Sequence, residues 1–234
     1  MNLTIIIPAH NEEKNIRNLL MKLQGVSIKP FEIIIIDDYS SDGTYEAVKG
    51  ILRECPGLVL AINQYEKGFA NALRTGFDLA ANEVVIPVMA DLCDEIDIIA
   101  KMYNEIIRGY DVVCASRYMK GGRREKGDFF KTFFSVCFNK LLRFITKIPC
   151  SDTSNAFKAY RKNILRDMDL KSKSFEISAE ILLNTYFSKY KITELPTVYK
   201  KRTCGKSHFV LIRDGMRFLR MLLPIIFKSF VSKL

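Results

Sequence analysis

The sequence predicts an α/β protein built on an open sheet flanked by helices, and three observations lead to that expectation. Five short apolar runs, Leu3 to Ile7, Phe31 to Ile36, Leu58 to Ile62, Glu83 to Val88 and Asp111 to Ala115, punctuate the first half of the chain. They are rich in β-branched residues and continuous rather than alternating, the pattern of parallel strands covered on both faces. The stretches between them are amphipathic, so strand and helix alternate, as they do where crossover helices join parallel strands.

The chain has 234 residues, 48% of them hydrophobic and 26% charged, enough to bury a core and short enough for one domain. Six cysteines without a Cys-x-x-Cys pair, and two histidines, suit neither a zinc site nor a disulfide framework, so a reducing, cytosolic setting is expected. The opening MNLTIIIPAHNEE lacks a basic n-region and has too short an apolar run for an export signal; it reads as the first strand. No run of about 18 uninterrupted apolar residues suggests a spanning helix. The net charge of +10 and pI near 9.3 point to an anionic partner, which is a nucleic acid, a phosphorylated substrate or an acidic lipid surface, or in part to a solvated lysine-rich surface with no partner. No nucleic-acid-binding module is recognisable, so nucleic acid ranks last among the three.

The run Ile33 to Ile36 ends in Asp37-Asp38-Tyr39-Ser40-Ser41-Asp42-Gly43-Thr44. Ligands of open α/β sheets bind outside the carboxyl ends of the strands, so Asp37 and Asp38 are placed to hold a base, a ribose or a metal, while Asp42 caps the next helix. The third strand runs into Asn63 to Gly76, a Lys67-Gly68 loop followed by a helix whose small residues allow close packing. The fourth runs into Met89-Ala90-Asp91-Leu92-Cys93-Asp94, where Asp91 is placed to hold a divalent ion against a diphosphate. Asp94 and Glu95 serve equally well as ligands or as the acidic start of a helix. After the fifth strand comes Ser116-Arg117-Tyr118, whose arginine suits bidentate phosphate recognition, and a glycine- and arginine-rich loop.

From Asp128 to Thr146 an aromatic helix is expected. At about 100° per residue its Lys131, Ser135, Asn139 and Arg143 form one polar stripe, a design suited either to a bilayer surface with the stripe turned to a phosphate or to a core helix with one wet face. A helix from Phe175 to Ser188 and a strand from Thr193 to Tyr199 follow. The segment from Arg202 to Ser207 reads as a loop that closes on a diphosphate, Arg202 and Lys206 neutralising a leaving group. Residues 1–207 form the expected catalytic domain. Residues 208–234 form an apolar and basic helix, kinked or broken at Pro224, with Arg213, Arg217 and Arg220 at helical spacing. Such a helix lies in a membrane interface, peripherally, or is covered by a partner subunit in the membrane.

The ordered series IIIPAHNEE, DDYSSDGT, Asn63 to Gly76, MADL, ASRY, DTSNAFKAYR, a helix with Glu180, and LPTVYKKRTCGKS resembles the family 2 glycosyltransferases of GT-A fold. Within that family it is most similar to the dolichol-phosphate mannosyltransferases and related polyprenyl-phosphate sugar transferases. The resemblance covers about Asn2 to Ser207 and implies a GT-A type, Rossmann-like sheet. It implies that Pro8, His10, Glu12, Ile35, Asp37 and Ala90 surround the nucleotide, and that Asp91 holds Mg²⁺ or Mn²⁺. Arg202 and Lys206 would meet the diphosphate, and Arg117, Lys131 and Ser135 the acceptor phosphate. Asp91, Arg117 and Arg202 would be catalytic. The implied reaction is an inverting transfer of a hexose from a nucleotide-sugar donor to a polyprenyl (dolichyl) phosphate lipid at the cytoplasmic face of the membrane. The nearest groups put mannose from GDP-mannose ahead of glucose from UDP-glucose. Met89 and Cys93 stand where the family commonly has oxygen ligands, which weakens the expectation of a metal. Two other readings remain open: a hydroxyl acceptor, for which Asp152 would be the base, and a silent sugar-nucleotide-binding subunit, motivated by Met89.

Overall fold

The computed structural model describes residues 2–28, 31–125, 128–166, 168–202, 204–205 and 209–231, the last seven by backbone alone. Strand β1, Leu3–Ala9, is buried along its whole length, and its alternation sets the two layers of the core. Leu3, Ile5 and Ile7 face one helical layer and Ile6 the other. Helix α1, Glu13–Gln24, brings Ile16, Leu19, Leu20 and Leu23 to the first layer, a spacing of three and four that makes one apolar stripe. Strand β2, Phe31–Asp37, pairs parallel to β1; α2, Thr44–Ile51, β3, Leu58–Ile62, and α3, Phe69–Leu79, follow. The expectation of close helix packing is met at Gly76 of α3, where a Cβ would stand 2.3 Å from Ile6 Cγ2.

Strand β4 is Val84–Pro87; a single 3₁₀ turn, Ile96–Ile98, leads into α4, Ile99–Ile107, and then β5, Val112–Ser116. A two-residue strand β6, Arg123–Arg124, precedes α5, Phe129–Thr146, whose Asp128 N-cap accepts the Lys131 N–H at 3.1 Å. The remaining elements are β7, Lys158–Arg161, α6, Asn163–Arg166, α7, Ile177–Phe187, β8, Ile192–Pro196, β9, Val198–Tyr199, and α8, Leu211–Val231. Among the described residues the main sheet has seven strands in the order β3-β2-β1-β4-β7-β5-β8, and β6 pairs with β9.

Three expectations are corrected. The sheet is mixed, because β7 lies antiparallel between β4 and β5. The strand expected from Thr193 to Tyr199 is divided at Thr197 between two sheets. Pro224 sits inside α8 without ending it, so of the two outcomes expected there, a kink or a break, the break does not occur. Helix α8 also packs on α5, the rings of Phe138 and Phe218 meeting at 4.9 Å. Among the described residues no helix is long and apolar enough to cross a membrane.

Candidate active site

The carboxyl ends of β1, β2, β4 and β5 border a cavity of about 910 Å³ that extends to α5 and α8. Pro8, His10 and Glu12 line it from the end of β1, and Ala90 and Asp91 from the end of β4. Arg117, Lys131, Ser135 and Arg202 also line it, so acids and cations far apart in the chain share one cleft. Ile35 does not. It is wholly buried two residues before the end of β2, because strand alternation turns it into the α1 side of the core. Lys206 lies outside the described residues.

Asp37, at the end of β2, is buried behind this lining; Oδ2 accepts the Ser40 N–H at 3.2 Å, and Oδ1 has no hydrogen-bond partner among the described residues. A buried acceptor of that kind suits an N–H brought by a ligand. Asp38 has a different use: it accepts the Gly68 N–H at 2.9 Å and Asn63 Nδ2 at 2.7 Å, anchoring the Lys67-Gly68 loop that lines the cavity. The His10 ring contacts the Asp38 carbonyl at 2.9 Å through Nδ1, and since a carbonyl only accepts, Nδ1 carries the proton in this contact.

Glu12 and Asp91 converge on Arg202. The guanidinium is ion-paired through Nη2 with Glu12 Oε1, and Nε stands 3.8 Å from Asp91 Oδ2. Asn15 holds the other Glu12 oxygen at 2.6 Å. Burial raises the Glu12 carboxyl above its usual pKa, and the hydrogen bond from Asn15 and the charge of Arg202 oppose that shift.

Whether these residues suit a divalent ion depends on their donor atoms. Asp91 Oδ1 accepts the Cys93 N–H at 3.0 Å, and Asp94 Oδ2 turns back to accept the Met89 N–H at 3.0 Å. Burial, followed by the charge of Asp91, pushes the Cys93 thiol up to about 12, so no thiolate is on offer near neutral pH. The same two causes push Asp94 up to about 7. No group of three or more His, Cys, Asp or Glu side chains that could hold a metal exists among the described residues. This set fits a hard cation that takes one carboxylate oxygen, from Asp91, and the rest of its shell from phosphate and water. It does not fit a protein-built metal cage.

At the other end of the cleft, Arg117 donates its backbone N–H, Nε and Nη2 to Asp152, at 3.0, 2.6 and 2.8 Å. Its guanidinium lies over the rings of Tyr118 and Tyr199, at 5.2 and 5.4 Å from their centroids. Burial alone would raise the Asp152 carboxyl; the Arg117 charge outweighs it and holds the group below its ordinary value. Ser135 Oγ accepts from Tyr118 Oη at 2.9 Å and lies 3.3 Å from Ser154 Oγ. Asn139 Oδ1 accepts the backbone N–H and the hydroxyl of Thr153, at 2.6 and 2.7 Å. The polar stripe of α5 thus faces the loop 151–155, and Lys131 Nζ reaches the Phe209 carbonyl at 3.1 Å.

The sequence reading overlooked Lys158, whose Nζ lies wholly buried beneath that loop and donates to the carbonyls of Thr153, at 3.0 Å, and Asn155. It also overlooked Tyr199, whose ring contacts both Arg117 and Arg124. A lysine inside a short run ending in Ala-Tyr-Arg was the available signal for the first; an ordinary strand tyrosine offered none for the second.

Compared with known proteins, residues 4–169 match the model of "Glycosyl transferase family 2". The chain is 32% identical over 213 residues to a dolichol-phosphate mannosyltransferase of Pyrococcus furiosus, covering 88% of this chain and 59% of that protein. It is 28% identical to an undecaprenyl-phosphate 4-deoxy-4-formamido-L-arabinose transferase of Aeromonas hydrophila, covering 89% and 63%. It is 23% identical to a polyprenol monophosphomannose synthase of Mycolicibacterium smegmatis, covering 87% and 79%. The chain therefore spans about three-fifths of the length of the first two. Glucosyl-3-phosphoglycerate synthase from Mycobacterium tuberculosis, crystallised with Mn²⁺, UDP and phosphoglyceric acid, superposes with a TM-score of 0.75 at 15% identity, covering 96% of this chain and 78% of that one. At that identity the likeness is one of fold, and the fold is of GT-A type.

Proposed function

We propose, from the premise that this chain belongs to glycosyl transferase family 2, that it transfers a hexosyl group from a nucleoside diphosphate sugar to a polyprenyl phosphate at the cytoplasmic face of a bilayer. One observation supports the lipid acceptor above the rest: α5 is inverted. Its polar Asn139 is buried among loop atoms, while Phe129, Phe130, Phe133, Phe134 and Phe144 stand in the open, Phe129 and Phe144 each 73% exposed. At about 100° per residue these five rings, with Leu141, fall within an arc of about 140°. Water does not favour such a face, and the cavity that begins at Asp91 reaches Phe134 and Leu141 on it. The relatives named for dolichol, undecaprenyl and polyprenol phosphates point the same way.

In this reading an oxygen of the acceptor phosphate attacks the anomeric carbon, the bond from that carbon to the diphosphate breaks, and the nucleoside diphosphate leaves with the electron pair. A phosphate monoester is largely dianionic at neutral pH, its second pKa being about 6, so no general base is required. Asp152, bound at both oxygens by Arg117, is in any case poorly placed to serve as one. Asp37 would take an N–H of the base, Arg202 would leave Glu12 for the diphosphate, and Arg117, Lys131 and Ser135 would receive the acceptor phosphate. Mg²⁺ or Mn²⁺ at Asp91 would supply further charge neutralisation of the leaving group. Mannose is the first sugar to test, on the names of two relatives.

The experiment is transfer of radiolabelled sugar from GDP-mannose, and in parallel UDP-glucose, to dolichyl and undecaprenyl phosphate. Organic-extractable label with either lipid is expected. Nucleotide-sugar binding without extractable label for any polyprenyl phosphate would instead favour a silent subunit.

A further inference from the structure

A second, open cleft of about 560 Å³ lies at the far end of α5, lined by Lys140, Arg143, Phe144, Lys147, Ile148 and Pro149. Three of its six lining residues are cations, and none is an acid. Lys147 is the left-handed cap of the helix, φ 61°, a position that favours glycine, and its Nζ stands 4.8 Å over the Phe144 ring. Arg143 Nη1 donates to Ser151 Oγ at 3.2 Å, and Ser151 itself donates to Glu194, so that carboxylate stands behind the serine. Cations in a last helical turn normally answer the negative end of the helix dipole. Lys140, nearly two turns from the end and within the arc of the exposed rings, is not explained that way.

We infer that this cleft binds the phosphodiester of an anionic phospholipid, so that α5 is held on the bilayer by its headgroup end as well as by its phenyl face. The inference rests on the bilayer reading given above and adds to it a specific lipid class and a site outside the reaction cleft. Two features point to a membrane as the occupant. The cations sit beside the exposed Phe144 ring, the pairing expected where a headgroup meets the acyl boundary. Phe144, the last of the exposed rings along α5, also lines the cleft, so the cleft continues that row. Along the helix, Lys131 at the reaction cleft and Lys147 here are separated by about 24 Å at 1.5 Å per residue. Two phosphate contacts that far apart would fix the direction of α5 in the plane of the membrane and hold the mouth of the reaction cleft against it.

The test is flotation of the full chain with vesicles of phosphatidylcholine alone and of phosphatidylcholine with one-fifth phosphatidylglycerol, at 0.15 M salt. The variants are Lys140→Gln/Arg143→Gln/Lys147→Gln and Phe133→Ser/Phe144→Ser, with thermal unfolding as the check that each folds. The wild type should bind the anionic vesicles more tightly, and the triple Gln variant should lose on the order of 100-fold of that affinity, at about 1 kcal/mol for each cation near an anionic surface. The same variant should bind neutral vesicles as the wild type does. The Phe variant should be weaker on both. Equal binding of the wild type to both vesicle types, or an unchanged anionic preference in the triple Gln variant, would overturn the headgroup site while leaving the phenyl-face reading intact. Absence of wild-type binding to either vesicle would overturn both and assign the face to a protein partner.

Discussion

Arg117 and Asp152, 35 positions apart, form a bidentate ion pair in which the carboxylate is wholly buried and the guanidinium nearly so. The pair joins the end of β5 to the loop that faces the polar stripe of α5. In the proposed reaction Asp152 would act on the acceptor side through Arg117, as a positioning residue.

Replacing Asp152 with Asn leaves a buried guanidinium without its counter-charge. Breaking a buried pair of this type costs about 3–5 kcal/mol, so a fall in urea midpoint is expected. If the pair positions Arg117 for the acceptor, KM for polyprenyl phosphate should rise while KM for the nucleotide sugar stays within about twofold. Equal changes in both would indicate a general loss of packing. The sign of the pH effect follows from the lowered carboxyl: its contribution is present above the unfolded value of about 3.8 and is lost as pH falls through the lower folded value.

Asp94 has the opposite sign. Burial and the charge of Asp91 push it up to about 7, so the fold favours the protonated acid. Its stabilising contribution is complete below the unfolded value of about 3.8 and is lost as pH rises through about 7. Asp94→Asn keeps an acceptor for the Met89 N–H and removes the ionisation. In EDTA, the variant should show a flatter stability between pH 5 and 8 than the wild type and exceed it at pH 8, by on the order of a few kcal/mol. A wild-type urea midpoint that does not decline across that range would contradict this assignment.

Metal and nucleotide should bind together. Asp91 offers one oxygen and the neighbouring Cys93 thiol stays protonated, so Mn²⁺ alone has too few protein ligands. Thermal unfolding should be unchanged by millimolar Mn²⁺, raised by GDP or UDP, and raised further by the two together; a hundredfold excess over Kd corresponds to about 2.7 kcal/mol. Asp91→Asn should remove the added effect of Mn²⁺ and keep most of that of the nucleotide. Stabilisation by Mn²⁺ alone would require ligands other than those described.

Much of the sheet was legible because β1, β2, β3, β4 and β5 are continuous β-branched runs, a local signal. Strand β7 was not, because its four residues include a buried lysine and an arginine, and what makes them a strand is pairing with β4 and β5. In the candidate site, Asp91 was readable from its place at a strand end, Arg202 from the basic loop that follows a strand, and Lys131 and Ser135 from helical spacing. The partner of Arg117 was not, since nothing local links positions 117 and 152. Ile35 does not reach the cleft for a simpler reason: it stands two residues short of the carboxyl end of β2, and its side chain packs into the α1 layer of the core.

Lys158 makes the strongest demand on that hidden part of the structure. Its ammonium is wholly buried, burial lowers its pKa, and it donates to the carbonyls of Thr153 and Asn155, which flank Ser154. Ser154 in turn meets Ser135 and Asn139 of α5. Lys158→Met keeps the unbranched chain up to the ε position and leaves two buried carbonyls unsatisfied, at about 1–3 kcal/mol each. Lys158→Arg keeps donors for both. If the lysine holds the loop in register with α5, the Met variant should lose affinity for polyprenyl phosphate beyond its loss of stability, and the Arg variant should recover most of it. The readout is KM for the lipid, measured well below the unfolding temperature of each variant. A Met variant that is less stable yet has an unchanged lipid KM would confine Lys158 to the core.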